Sequence, residues 1–550
     1  MLMKLAKRLW ALCLALTLTV LAGCGKAKGE GFTLSVSLGD GYETLDPIYA
    51  ETAVERSIIA HLYENLMKLS VDAQGNTTAA YGLVKSVDQQ INVDGTVTYT
   101  FRLRSAKWSD GQAVTADDVV YAWQRLACPV NDSPHAELMS VVCGYEQVRQ
   151  TGDATLLQVS AKNENTLVVN LSGNYTWFLE EVCTDPAAVP VRRGIVPTLP
   201  HATEEAVETA SEGPAWWADV KSLVVSGPYI PESQGTEYLR LVENERYYDY
   251  GKTPGPDGIT FRFADSAQEG VELYEKGEVD AVWPVELTED NAIPTLSTYA
   301  LIFNCTTFPF QDRALRQATV KAIDRNAAAA LAGGEAAGAL VPYGVPDSEA
   351  EDFRSCAGEL LDNTPELYAQ NCAQAMEILQ NAGYQSGADL GELRFLYLDE
   401  GTNGLVAGEV CRQLSDMLKM KATPVAMAEE ELFAAVESGE FSMVGLELTS
   451  LCNDPEGFLR DWTSDAEANA AGYENTAYDT LMSIIATAPD GTARLGCLHD
   501  AEELLIDDAP LTPLYTTYTA WDIRDTLTGA FRDERGWFGF MNVIRRTACG

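Results

Sequence analysis

Apolar and polar residues alternate along several stretches of this chain and mark strands. Phe32-Thr-Leu-Ser-Val-Ser-Leu38 places its apolar side chains on one face, which predicts a half-buried strand. A hairpin is predicted around Asp94-Gly95. In its second arm Val97, Tyr99, Phe101 and Leu103 point one way, and Thr96, Thr98, Thr100, Arg102 and Arg104 the other. Leu239–Val242 and Ile259–Phe263 read as further strands. Helical spacing appears over Ile58–Leu69 and again where Leu315, Thr319, Ala322 and Ile323 share one face of a helix beginning near Asp312. Thr115 and Asp118 have the spacing of a capping box ahead of Val119–Leu126. Thr364-Pro365 opens a helix that Gly383 closes. Gly, Pro and acidic residues thicken from Ile195 to Gly213, which predicts a surface connection. The mixture is α/β, without an internal repeat.

Length turns this pattern into an architecture. At 550 residues the chain exceeds a single compact core, and two or three packed units are expected. Charge narrows the partners: 81 acidic against 38 basic residues give a net charge of −43. Such a surface repels phosphate backbones and anionic headgroups, so nucleic acid is not an expected partner.

The first residues state a destination. Lys4, Lys7 and Arg8 precede an apolar run from Leu9 to about Leu21, too short for a comfortable membrane span and typical of a signal peptide. The run ends in Leu21-Ala22-Gly23-Cys24, which resembles the processing box of bacterial lipoproteins. That resemblance implies cleavage after residue 23, a diacylglycerol on Cys24 and a tether over 24–31. Loss of the three cations would deepen the net charge to −46.

Covalent chemistry finds little support. His61, His135, His201 and His499 are the only histidines, and no His-Glu-x-x-His pair exists. Twelve cysteines contain no Cys-x-x-Cys pair, and those left after Cys13 and Cys24 read equally as disulfides or as buried thiols. Gly251-Lys252-Thr253 lacks the upstream glycine of a phosphate loop, since Arg246 stands there. Asp72–Asn76 lacks the closing glutamate of a calcium loop. No cofactor, metal or catalytic residue is expected.

A series of segments carries a family resemblance. They are Glu43-Thr-Leu-Asp-Pro47, Tyr99–Arg104 with Lys107-Trp-Ser-Asp-Gly111, Ser226-Gly-Pro-Tyr229, and Tyr274–Asp280. Phe303-Asn304, Pro309-Phe310, Arg316-Gln-Ala318, Ala322–Arg325, Asn453-Asp-Pro455 and Asp508–Tyr515 follow. Taken in order they resemble the peptide/nickel (family 5) solute-binding proteins of ABC importers. The resemblance implies an α/β, two-lobed fold like that of periplasmic binding proteins, with an extra subdomain inserted in the first lobe and a ligand cleft between lobes. Expected boundaries are a signal peptide at 1–23, first-lobe segments 32–75 and 195–300 around an insertion at 76–194, a second lobe at 301–509, and a return at 510–550.

The implied function is a lipid-anchored protein that captures di- or oligopeptides for a permease and its ATPase subunits. Alternatives are another small solute such as a nickel complex, a non-transport peptide receptor, or a surface-anchored hydrolase. Ligand contacts are expected from Tyr42, Glu43, His135, Asn304, Asp454 and Tyr515. Family members commonly carry an aspartate, which meets the peptide's ammonium, four residues before the proline of the Asp-Pro step. Leu451 stands there, and Leu448 where a tryptophan is common, so either Asp454 or Glu447 takes the acidic role or the ligand has no free α-amine in that place. Asp454 reads equally as an N-cap. Trp108 and the Asp110-Gly111 turn are expected to be scaffold, and Arg316 and Arg325 to make structural salt bridges.

Overall fold

The computed structural model describes residues 31–71, 77–197, 215–288, 291–347, 352–450, 452–466, 468–488 and 491–546. The signal segment, Cys24, the Asp72–Asn76 loop, Leu451 and most of the 195–213 connection lie outside the described residues.

Two six-stranded sheets organise the chain. The first runs in the order Asp522–Ile523, Ala281–Val282, Thr33–Ser37, Gly258–Arg262, Tyr238–Glu243, Tyr229–Gly235. Thr33–Ser37 is parallel to both neighbours, with Leu34 and Val36 fully buried, as the alternation predicts. Between its first two chain segments lies a separate four-stranded antiparallel sheet: Val84–Ile91, Val97–Leu103, Thr166–Leu171, Val159–Asn163. The Asp94-Gly95 hairpin joins its first two strands, and Val97, Tyr99, Phe101 and Leu103 are all buried. Asp118 closes the next helix start: its carboxylate accepts the Thr115 N–H at 2.9 Å and the Trp108 indole at 3.3 Å. Trp108 has no exposed surface, so this segment is scaffold.

The second sheet runs in the order Glu335–Ala336, Leu511–Thr519, Ile293–Phe303, Met443–Thr449, Glu392–Leu398, Lys421–Met427. Separate hydrophobic clusters cover its two faces. Ile293–Phe303 and Leu511–Thr519 pair with each other antiparallel and both lie wholly in this sheet, so it extends past 301–509 at both ends. The chain therefore passes between the sheets next to residues 293 and 519, which fixes one end of the second sheet as the end nearest the first.

Two expectations need correcting. The helical spacing over 58–69 holds only to Leu62: the helix is Ala53–Leu62, and Met67–Val71 is a strand. Asn65 breaks the run: its side chain accepts the Leu66 N–H at 2.7 Å, a local bond that competes with a helix, and donates to the distant Asp185 carbonyl at 2.8 Å. Arg316 and Arg325 are buried and structural, but they meet carbonyls rather than carboxylates. Arg316 donates to Phe310, Asp508 and Ala509, and Arg325 to Pro513. The Thr492–Asp508 helix ends at Ala509 in the left-handed region (φ 53°), leaving carbonyls that a guanidinium can satisfy.

His61 is fully buried on the first helix. Its Nδ1 lies 2.6 Å from the Ser57 carbonyl, and its Nε2 accepts the Phe540 N–H at 2.9 Å, which fixes the neutral ring. Burial pushes its pKa down to about 4. The contribution of the neutral ring is complete above the unfolded value of ~6.5 and is lost as the pH falls toward 4, because the unfolded chain then binds the extra proton. The loss amounts to about 3 kcal/mol. Urea unfolding of the wild type and of His61→Phe at pH 7 and pH 4.5 is expected to show the wild-type advantage shrinking at low pH. A pH-independent difference between the two would refute the assignment.

Candidate functional site

Over the end of the second sheet nearest the first lies a crevice of about 420 Å³. That volume falls in the ~300–1,000 Å³ range of small-molecule sites. Its walls come from four strands, the segment Glu400–Asn403, and Ala332, Leu432 and Phe433 on two flanking helices. Tyr299 and Tyr515 are cross-strand partners, stacked at 5.0 Å with rings 8° from parallel. Glu447, opposite Tyr299 on the other side, receives the Thr517 hydroxyl at 3.2 Å. Gly445 makes the room: a Cβ there would fall against the Tyr299 hydroxyl and 2.9 Å from the Phe395 ring. The Tyr299 hydroxyl is buried without a hydrogen-bond partner. Burial raises both tyrosine pKa values, so the phenols stay protonated and remain able to donate.

The strand carrying Glu447 continues into Cys452–Trp462, which reaches the first lobe. Arg460 pairs with Glu137 at 3.1 Å and donates to Ser140 at 2.9 Å, while the Trp177 indole meets Glu456 at 3.4 Å. Asn174 donates its N–H to the Ala486 carbonyl at 2.9 Å. These contacts seat the segment after Glu447 against the first lobe, while every residue that lines the crevice belongs to the second.

Asp454 belongs to this bridging segment, not to the crevice. It caps the Pro455–Leu459 helix by accepting the Glu456 N–H at 2.8 Å, and both its oxygens pair with Arg494 at 2.8 and 3.2 Å. Arg494 also holds Glu456 at 2.8 Å. Burial acts to lower the pKa of Arg494, but Asp454 and Glu456 outweigh it and hold the guanidinium charged. The capping role wins, and the neutralised carboxylate offers little to a ligand ammonium.

The other expected contacts scatter. Asn304 lies at the opposite end of its strand from the crossing, with its amide committed to the carbonyls of Gly439 (2.9 Å) and Phe441 (3.2 Å) and to Thr306. It is a structural residue. His135 rests its Nε2 on the Ala50 carbonyl at 2.7 Å, and burial lowers its pKa. Tyr42 donates to Gln234 at 2.9 Å and packs on Phe263. Glu43 is exposed beside it, its backbone N–H given to Glu55 at 2.8 Å. Only Tyr515 lines the crevice, and of the two acidic candidates only Glu447 does. Tyr299 and Glu400 went unmarked in the sequence: strand pairing over more than a hundred residues brings them together, and no local pattern records it. No disulfide links any two of the nine described cysteines.

Two α/β lobes with the chain passing twice between them, and a ligand-sized crevice in the second near that passage, have the architecture of a two-lobed binding protein. The comparisons place it within that class. The sequence pattern of the bacterial extracellular solute-binding proteins, family 5 (middle region), matches residues 80–470, and the chain belongs to this family. It is 25% identical over 542 residues to the dipeptide-binding protein DppE of Bacillus subtilis, covering 93% of this chain and 94% of that one. It is 26% identical over 492 residues to the probable deoxycholate-binding periplasmic protein YgiS of Escherichia coli, covering 86% and 85%. Among solved structures, Haemophilus influenzae OppA in complex with RPPGFSPFR superposes with a TM-score of 0.70 at 21% identity, covering 94% of this chain and 99% of that one. Family members are binding proteins rather than enzymes, and they are extracytoplasmic. No helix among the described residues is long and apolar enough to cross a membrane.

Proposed function

We propose that this chain is the capture subunit of an ABC importer, anchored on the outer face of the cytoplasmic membrane through a lipid on Cys24, and that its solutes are di- or oligopeptides. It delivers them to a permease and catalyses nothing. The observation that carries this reading is the crevice at the lobe crossing, where Tyr299, Glu447, Tyr515 and Thr517 present polar groups around a volume suited to a peptide side chain or terminus. The peptide-binding names of DppE and OppA support the same reading. Closure of the lobes would add contacts from the first lobe, with Tyr42, Glu43 and His135 the candidates there. The lobes we propose divide next to residues 293 and 519, with the four-stranded sheet as the insertion.

A second reading, a non-peptide solute, draws on the leucines at 448 and 451 and on the name of YgiS. Mass spectrometry of small molecules released by denaturing the purified protein decides between them. A pool of short peptides is the expected result. A single non-peptide species would establish the second reading, and turnover of added peptides would overturn both.

A further inference from the structure

We propose that the four-stranded insertion is a strap that fastens the first lobe to the second without help from solute and limits how far the lobes part. This rests on the division of the lobes next to residues 293 and 519, and not on which solute the crevice takes. Three separate parts of the insertion reach the second lobe. The Tyr145 hydroxyl holds one oxygen of Glu137 at 3.0 Å, and Arg460 takes the other at 3.1 Å while donating to Ser140 at 2.9 Å. The Trp177 indole donates to Glu456 at 3.4 Å. Asn174 closes the end of the Thr476–Thr487 helix: its backbone N–H meets the Ala486 carbonyl at 2.9 Å and its Nδ2 the Ala488 carbonyl at 3.2 Å. Those are carbonyls of the kind that a helix leaves unpaired at its C-terminus. Gln89 donates to Asn174 Oδ1 at 3.1 Å, which turns the amide nitrogen toward the second lobe. Gly173 permits the approach, since a Cβ there would stand 2.4 Å from the Ala486 carbonyl oxygen. At the hairpin tip a Cβ on Gly95 would lie 3.7 Å from the Thr487 methyl carbon of the same helix end.

Each of these bonds runs from protein to protein, so the strap forms without a ligand. The ties are polar, and Glu137 and Arg460 keep part of their side chains in water. Such bonds exchange with water at small net cost, so the strap holds by their sum and can release. On the second lobe its anchor, Cys452–Trp462, continues the strand that carries Glu447, so the tie bears on the crevice wall. A solute then meets lobes already drawn together, and less of its binding free energy is spent on closing them.

Hydrogen exchange on protein dialysed free of small molecules tests this. The Asn174 N–H, held by Ala486 across the interface, is expected to be protected in the wild type. Arg460→Met removes the ties to Glu137 and Ser140 and should speed exchange at Asn174 at least tenfold, because the strap acts as a unit. Gly173→Val, placed against Ala486 itself, should do the same. Small-angle X-ray scattering should give a larger radius of gyration for both variants than for the wild type. Free exchange at Asn174 in the wild type overturns the strap, as does unchanged exchange and unchanged radius in both variants. Loss of protection throughout both six-stranded sheets would show one folded unit and overturn the lobe division together with the strap. Peptide capture survives either result, since neither readout involves a solute.

Discussion

Arg494→Met is expected to destabilise the second lobe by about 3–5 kcal/mol, the usual cost of removing one partner from a buried ionic cluster. Arg494 and Glu456 are almost entirely buried and Asp454 nearly so, and the one guanidinium pairs with both acids. Methionine fills much of the volume but leaves two carboxylates close together in a low-dielectric environment. Burial and Asp454 already hold the pKa of Glu456 above the usual carboxylate range with the arginine present. Without it, Glu456 would shift further up. A folded-state pKa above the unfolded one means that the folded protein takes up protons as pH falls, so the deficit should be largest at pH 7 and shrink toward pH 5. Chemical unfolding at both pH values measures this. The triple change Arg494→Met, Asp454→Asn, Glu456→Gln should recover most of the loss, because no charge is then left unpaired. A triple variant as unstable as the single one would show that packing rather than charge dominates.

The same cluster explains why a sequence motif was legible and its role was not. Asn453-Asp-Pro455 is recognisable because an N-cap followed by proline at the first helical position is a local signal. The partner that decides what Asp454 does, Arg494, is 40 residues away. Other recognisable segments behave likewise. Asp46 of Glu43–Pro47 is tied to Arg125 at 2.6 Å and to the Trp216 indole at 2.9 Å, and Asp508 of Asp508–Tyr515 accepts from Tyr473 at 2.7 Å. These aspartates brace each lobe within itself, and of the residues in these motifs only Tyr515 lines the crevice. Strands with period-two alternation, the Asp94-Gly95 hairpin and the helix closed by Gly383 were legible because each is fixed within about ten residues. The crevice was legible only through Tyr515 and through Glu447, because its other walls are set by the order of strands in the second sheet. The split of 58–69 into helix and strand was missed for a related reason. Apolar spacing there fits both elements, and the side-chain bonds of Asn65 decide between them.

Gly445→Val is expected to remove solute binding, with at least a tenfold loss of affinity for whatever co-purifies with the wild type. Residue 445 pairs with Leu301 on one neighbouring strand and with Tyr397 on the other, so its backbone is held on both sides. A side chain there has nowhere to go: its first carbon already meets the Tyr299 hydroxyl and lies 2.9 Å from the Phe395 ring. Phe395 is fully buried and Tyr299 is stacked on Tyr515, so the easier movement is a swing of Tyr299 into the crevice. That swing fills the volume from which binding derives and breaks the stack, at a cost of about 1–3 kcal/mol for overpacking a tight site. Valine is β-branched and suits a strand, so the fold itself should persist. Far-UV circular dichroism should match the wild type, with a modest fall in melting temperature, while calorimetry shows the affinity gone. Unchanged affinity in a folded Gly445→Val protein would move the ligand site off the second sheet, to the facing surface of the first lobe.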